Sequence, residues 1–161
     1  MRKILYLHGL ESGQGGPKVD YLTSQTTCHA PEMDYTRKDL FSYLVNLVEE
    51  FEPDLIIGSS MGGYCAYVLG GLYEIPVLAF NPALHSRTFD PPLPSFVKKH
   101  HPTKMTVVIG DKDAVIPGNK TLDYMKDYMV DNVANVIVER IKDMGHRVTL
   151  DVFCNMYNKT T

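Results

Sequence analysis
The sequence predicts an α/β protein: about six parallel strands in one sheet, flanked by helices on both faces. Three observations predict it. Six short apolar runs rich in β-branched residues recur along the chain, longer amphipathic stretches separate them, and the runs are continuous rather than alternating, as in strands buried on both faces. At 161 residues the chain is long enough for one real core and short for two, so a single domain over 1–161 is expected.

In order, the first run is "KILYLH" (3–8), followed by a helix over 17–24 that opens on Pro17, a favoured first helical position. "TTCHA" (26–30) is the second strand. A helix over 38–51 follows, with Leu40, Phe41, Leu44, Leu47, Val48 and Phe51 close to the spacing of one face. "DLIIGS" (54–59) runs directly into a helix over 61–70, and "IPVLAFN" (75–81) is the fourth strand. Residues 85–102, "HSRTFDPPLPSFVKKHHP", hold four prolines and no sustained period. They read as an excursion between strands, with room for a small cap. "MTVVIG" (105–110), a helix over 119–129, "NVIVERI" (135–141) and a helix over 148–157 complete the order.

Composition narrows the function. With 44% hydrophobic and 22% charged residues and a formal charge of −3, the chain lacks the positive field that gathers nucleic acid. Cys28, Cys65 and Cys154 are odd in number and widely spaced, against a disulfide framework or a zinc site. The apolar run before His8 is too short for a signal-peptide core, and no segment approaches membrane-spanning length. A soluble cytoplasmic protein without nucleic-acid or membrane partners is expected. Its oligomeric state is not readable.

The chemistry concentrates in "LIIGSSMGGYCA" (55–66). A nucleophile elbow needs small residues two positions either side of its serine, so that strand and helix can crowd together. The frame around Ser60 is Gly58-Ser59-Ser60-Met61-Gly62, whereas a frame on Ser59 would put Ile57 and Met61 at the small positions. Ser60 is therefore the candidate nucleophile. A serine hydroxyl needs a base within reach and an acid to orient that base. "GDKDAVIP" supplies Asp111 and Asp113 after the fifth strand, and "KDMGHRV" supplies His146 after the sixth, both at strand C-terminal ends. The amides of Met61, after the nucleophile, and Leu10, in the loop after the first strand, are candidate oxyanion donors.

Plainer readings stand beside these. An aspartate after a strand is commonly a turn residue, and a loop histidine is commonly solvated. The glycines after the first strand could cradle phosphate, although neither G-x-G-x-x-G nor the G-x-x-x-x-G-K-[ST] frame is present. Phe89, Leu93, Phe96 and Val97 could line an acyl pocket or anchor an irregular loop; Phe89 and Phe96 are the candidate substrate-binding residues. Lys98-Lys99-His100-His101 reads as a solvated turn, Cys65 as a core residue one turn beyond Ser60, and Met125 with Met129 as core packing. No metal-ligand spacing is present, and no cofactor is implied.

Taken together, "LYLHGLESG…PK", "GSSMGGY", Asn81-Pro82-Ala83, "GDKDAVIP" and "GHRV" resemble the α/β-hydrolases, and more narrowly the small bacterial esterases of the YqiA/YcfP (UPF0227) type, from Lys3 to about Tyr157. The resemblance implies a compact α/β-hydrolase fold with a minimal cap and esterase activity on short acyl chains. It also implies Ser60 as nucleophile, His146 as base and Asp113 as acid, with Asp111 the alternative. Two departures are visible. The segment between Pro82 and Met105 is shorter than its counterpart, and Arg147 follows His146 where a small residue is expected. A carboxylesterase or thioesterase taking a small acyl ester is the expected function; an amidase or peptidase, a non-catalytic binding protein, and a flavodoxin-like phosphate or nucleotide binder are the alternatives.

Overall fold
The computed structural model describes residues 1–97, 102 and 104–161. The elements run β1 (Lys3–Leu7), α1 (Pro17–Gln25), β2 (Thr27–His29), α2 (Leu40–Phe51), β3 (Leu55–Ser59), α3 (Met61–Tyr73), β4 (Val77–Phe80), β5 (Met105–Gly110), α4 (Gly118–Asp131), β6 (Val136–Ile141) and α5 (Leu150–Thr160). All six expected strands and five expected helices are present, with ends shifted by a few residues. α2 starts at Leu40, and the carboxylate of the N-cap residue Asp39 pairs with Arg37 at 2.8 Å instead of capping the helix. α3 continues past Gly70 to Tyr73 and ends where Glu74 turns left-handed.

The strands form one parallel sheet in the order β2-β1-β3-β4-β5-β6. Alternation within each strand divides the core in two. Leu5 and Leu7 face one way, with Ile56 and Val107, under α2, α3 and α4. Ile4 and Tyr6 face the other way, with Ile57, Phe80 and Val108, under α1 and α5. α3 is buried on nearly every side, from Met61 to Gly71, which is why its sequence lacks a polar face.

The strand order reverses between β1 and β3: the chain steps outward to β2 and returns to the other side of β1. Such a switch point opens a crevice at the strands' C-terminal ends. Gly9 and Ser60 sit on its two sides, just after β1 and β3. The excursion carries no helix or strand in its described part, 85–97. Lys98 to His101 lie outside the described residues. Among the described residues, no helix is long and apolar enough to cross a membrane.

Candidate active site
Ser60 caps α3 in a conformation that side chains rarely adopt, φ 54° and ψ −115°. Such strain costs about 1–3 kcal/mol and persists only where the surroundings over-determine it. Here they do: Ser60 N–H donates to the Phe80 carbonyl at 2.9 Å, and the Ser60 carbonyl accepts from Tyr64 N–H at 3.1 Å and Ala83 N–H at 3.0 Å. The flanking glycines are a steric requirement. A Cβ on Gly58 would lie 2.2 Å from the Gly62 carbonyl oxygen, and one on Gly62 would lie 2.0 Å from that of Leu7. Ser59, by contrast, is the last residue of β3.

The side chains of Ser60, His146 and Asp113 meet. His146 Nε2 is 3.0 Å from Ser60 Oγ, and His146 Nδ1 is 2.8 Å from Asp113 Oδ2. The other Asp113 oxygen accepts from Val115 N–H at 2.9 Å and Ile116 N–H at 2.8 Å, so the buried carboxylate is held on both sides. A turn in which Asp113 N–H donates to the Gly110 carbonyl points this residue inward, while Asp111 is exposed. The arrangement lets the imidazole accept the serine proton while the carboxylate fixes which ring nitrogen faces Ser60. His146 is partly open to solvent, its side chain 29% exposed.

The loop after β1 is set from below by His8, a residue to which sequence reasoning assigned no task. His8 is 3% exposed. Its Nε2 accepts from Met33 N–H at 3.0 Å, which leaves the ring proton on Nδ1, and Nδ1–H donates to the Gly9 carbonyl at 2.7 Å. The Tyr35 hydroxyl donates to the His8 carbonyl. With its carbonyl pulled toward the imidazole, the trans Gly9–Leu10 peptide turns the Leu10 N–H the opposite way. Gly9 lies against the elbow, where an added Cβ would be 3.4 Å from Ser60 Cβ. Met61 is the first residue of α3, a position whose N–H has no acceptor inside the helix.

Within the Asn81-Pro82-Ala83 motif, the sequence alone assigns Asn81 no task of its own. Its amide bonds to Gly110, the last residue of β5, and to the loop carrying His146. An asparagine directly after an apolar strand run and before a proline is the one local signal the sequence offers for it.

The remaining candidates separate by burial. Phe89 and Val97 pack against the larger core cluster, whereas Leu93 is 45% and Phe96 55% exposed. Cys65 is fully buried, which pushes its thiol up to about 12 and keeps it protonated and inert at neutral pH. Met125 is core and Met129 packs against it. Arg147 is exposed; burial, and then its charge, holds the Lys18 amine below the ordinary lysine range. Among the described residues, no group of three His, Cys, Asp or Glu could hold a metal. A groove of about 390 Å³, lined by residues including Leu122, Met129 and Val136, opens at the N-terminal end of β6, the far end of the strand from the loop carrying His146.

Residues 3–91 match a family described as an uncharacterised protein family (UPF0227). The match includes the elbow and Asn81-Pro82-Ala83 and ends before Asp113 and His146. Among solved structures, a Xanthomonas campestris pv. campestris protein placed in the alpha/beta hydrolase superfamily is similar at 20% identity, over 97% of this chain and 93% of its own, with a TM-score of 0.68. Paleococcus ferrophilus monoacylglycerol lipase is similar at 13% identity over 98% and 91%, TM-score 0.71. Zea mays acyl-protein thioesterase 2 is similar at 11% identity over 99% and 92%, TM-score 0.66. At these identities the likeness is one of fold. With more than half of its length matched, the chain belongs to the UPF0227 family and carries the α/β-hydrolase fold.

Proposed function
We propose that the protein is a serine hydrolase, acting as a single domain on small acyl esters or thioesters through an acyl-enzyme intermediate. The observation that carries this reading is the unbroken hydrogen-bonded chain from Ser60 through His146 to Asp113, built on a strained elbow at the switch point of the sheet. In the first half-reaction His146 Nε2 takes the Ser60 proton as Oγ attacks the acyl carbonyl. The new oxyanion is held by the Met61 and Leu10 amides, and Asp113 stabilises the imidazolium. His146 then hands its proton to the leaving alcohol or thiol. In the second half-reaction, water attacks the acyl-enzyme with His146 again as base, giving the free acid and restoring Ser60.

Nothing in these steps calls for a cofactor. The fold neighbours described as a lipase and a thioesterase support an acyl substrate, and the open setting of His146 supports a small cap. In this reading Phe89, which packs on the core, forms a fixed wall for the acyl chain, whereas Phe96 is 55% exposed.

Turnover of a short-chain aryl ester tests the assignment. Ser60→Ala and His146→Ala should each lower kcat by roughly 10⁴–10⁶, and Asp113→Asn by roughly 10⁴, through the wrong imidazole tautomer. Asp111→Asn should stay within about threefold of wild type, because its side chain is exposed and the Nδ1 of His146 is already held by Asp113. Equal losses in the two aspartate variants would remove the role given to Asp113.

A further inference from the structure
We propose that the side-chain amide of Asn81 is the positioning residue for His146, and that the turn Asn81-Pro82-Ala83 sets the separation between His146 and Ser60. The inference deepens the serine-hydrolase reading above and rests on it.

The problem is one of reach. His146 follows β6, the edge strand, while Ser60 follows β3, and β4 and β5 lie between them. Strands are about 4.8 Å apart, so the loop after β6 must carry its imidazole about 14 Å across the tips of two strands and stop within hydrogen-bond distance of Ser60. Asp113 orients the ring from Nδ1 but does not hold the backbone that bears it.

Asn81 does. It stands at the tip of β4, 2% exposed, with both amide protons donated and its oxygen accepting. Nδ2 donates to the Gly145 carbonyl at 3.1 Å and to the His146 carbonyl at 3.0 Å, and Oδ1 accepts from Gly110 N–H at 2.8 Å. The same loop is held one residue earlier by Lys112 N–H, which donates to the Met144 carbonyl at 3.0 Å. Three consecutive carbonyls, of residues 144 to 146, are thus anchored to the tips of β4 and β5. Gly110 admits the loop, since a Cβ there would lie 2.4 Å from the Met144 carbonyl oxygen and 2.7 Å from that of Gly145.

The other end of the turn holds the elbow. Ala83 N–H donates to the Ser60 carbonyl at 3.0 Å, and Pro82 lies where a Cβ on Gly63 would come within 2.8 Å. The backbones of nucleophile and base are therefore both referenced to residues 81–83.

Asn81 also has φ 41°, a left-handed conformation that asparagine and glycine tolerate best. Its presence could reflect the backbone alone, and the test separates the two roles. Asn81→Gly keeps the conformation and removes the amide. Asn81→Asp keeps the shape and the acceptor for Gly110, but sets a carboxylate against two carbonyls.

Both variants should keep the wild-type circular dichroism. In both, kcat on the aryl ester should fall roughly 10²-fold, the cost of about 1 Å of misplacement, with KM within a few-fold of wild type. In crystal structures of both variants His146 Nε2 should lie beyond hydrogen-bond reach of Ser60 Oγ, a readout that does not depend on turnover. Wild-type kcat in Asn81→Gly, or an unmoved imidazole in its crystal structure, would overturn the proposal and leave Asn81 a turn residue. Should Asn81→Gly fail to fold, Asn81→Asp carries the same two readouts. If wild type itself turns over no ester, the hydrolase reading fails, while the imidazole position in the variants still decides what Asn81 does.

Discussion

Replacing Gly62 by alanine should injure the proposed site from outside it. The added Cβ would stand 2.0 Å from the Leu7 carbonyl oxygen, 2.6 Å from the Leu7 carbonyl carbon and 2.7 Å from the His8 carbonyl oxygen. All three are backbone atoms, so no side chain can rotate away. Restoring an ordinary 3.4 Å contact requires the start of α3 and the end of β1 to part by about 1.4 Å. That movement opens the crevice in which Ser60 faces the Gly9–Leu10 peptide. A misplacement near 1 Å costs about 10² in rate, so kcat on an aryl ester should drop roughly 10²-fold or more. Overpacking costs about 1–3 kcal/mol, and the roughly 1 kcal/mol that alanine gains over glycine in a helix does not cancel the upper part of that range. At about 2–4 °C per kcal/mol for a chain of this size, calorimetry should show Tm lower by several degrees. Gly13→Ala is the control, since an added Cβ there meets nothing within 4 Å. Gly62→Ala with activity within threefold of wild type and an unchanged Tm would refute the steric account of the elbow.

Two further predictions follow from buried polar groups. His8→Phe keeps a ring beside Tyr35 but removes the acceptor of Met33 N–H and the donor to the Gly9 carbonyl. It should destabilise the fold by about 1–3 kcal/mol and, by releasing the Leu10 amide, lower kcat by up to roughly 10²–10³ with little change in KM; a full-strength kcat would show that Leu10 is not a donor. The second concerns alkaline stability. Burial pushes Cys65 to about 12 from an ordinary 9.0, Cys28 to about 11 from 9.0, and Tyr6 to about 12 from 10.0. Between about pH 9 and 12 the folded state keeps protons that the unfolded chain releases, so the contribution of these groups to stability is full below about pH 9 and is lost as pH rises through this window. Urea midpoints should decline across it, and Cys65→Ala should flatten the decline by up to about 1.4 kcal/mol per pH unit; an identical slope would mean that Cys65 does not titrate differently on folding.

What was legible in the sequence and what was not divide by range. The strands could be read because burial on both sheet faces demands continuous runs such as Ile4–Leu7 and Leu55–Ile57, and each run is a local signal. The meeting of Ser60, Asp113 and His146 was anticipated because each follows a strand, and a parallel sheet gathers all its C-terminal ends at one edge. Asp111 and Asp113 could not be separated from composition, since both lie in one turn and only its direction buries one of them. Asn81, His8 and Gly110 act across tens of residues: Asn81 bonds to residues 29, 64 and 65 positions away, and His8 bonds to Met33, 25 away. No periodicity encodes such pairings. The excursion, with four prolines and no repeat, left the roles of Phe89 and Phe96 open, and only their unequal burial distinguishes them.

The proposed chemistry stands on Ser60 being a nucleophile activated by His146. Labelling of the folded protein with a fluorophosphonate, followed by intact mass and peptide mapping, tests it most directly. One adduct per chain is expected, on Ser60, absent in Ser60→Ala and severely slowed in His146→Ala. Absence of labelling in folded wild-type protein, or an adduct on Ser59, would contradict it.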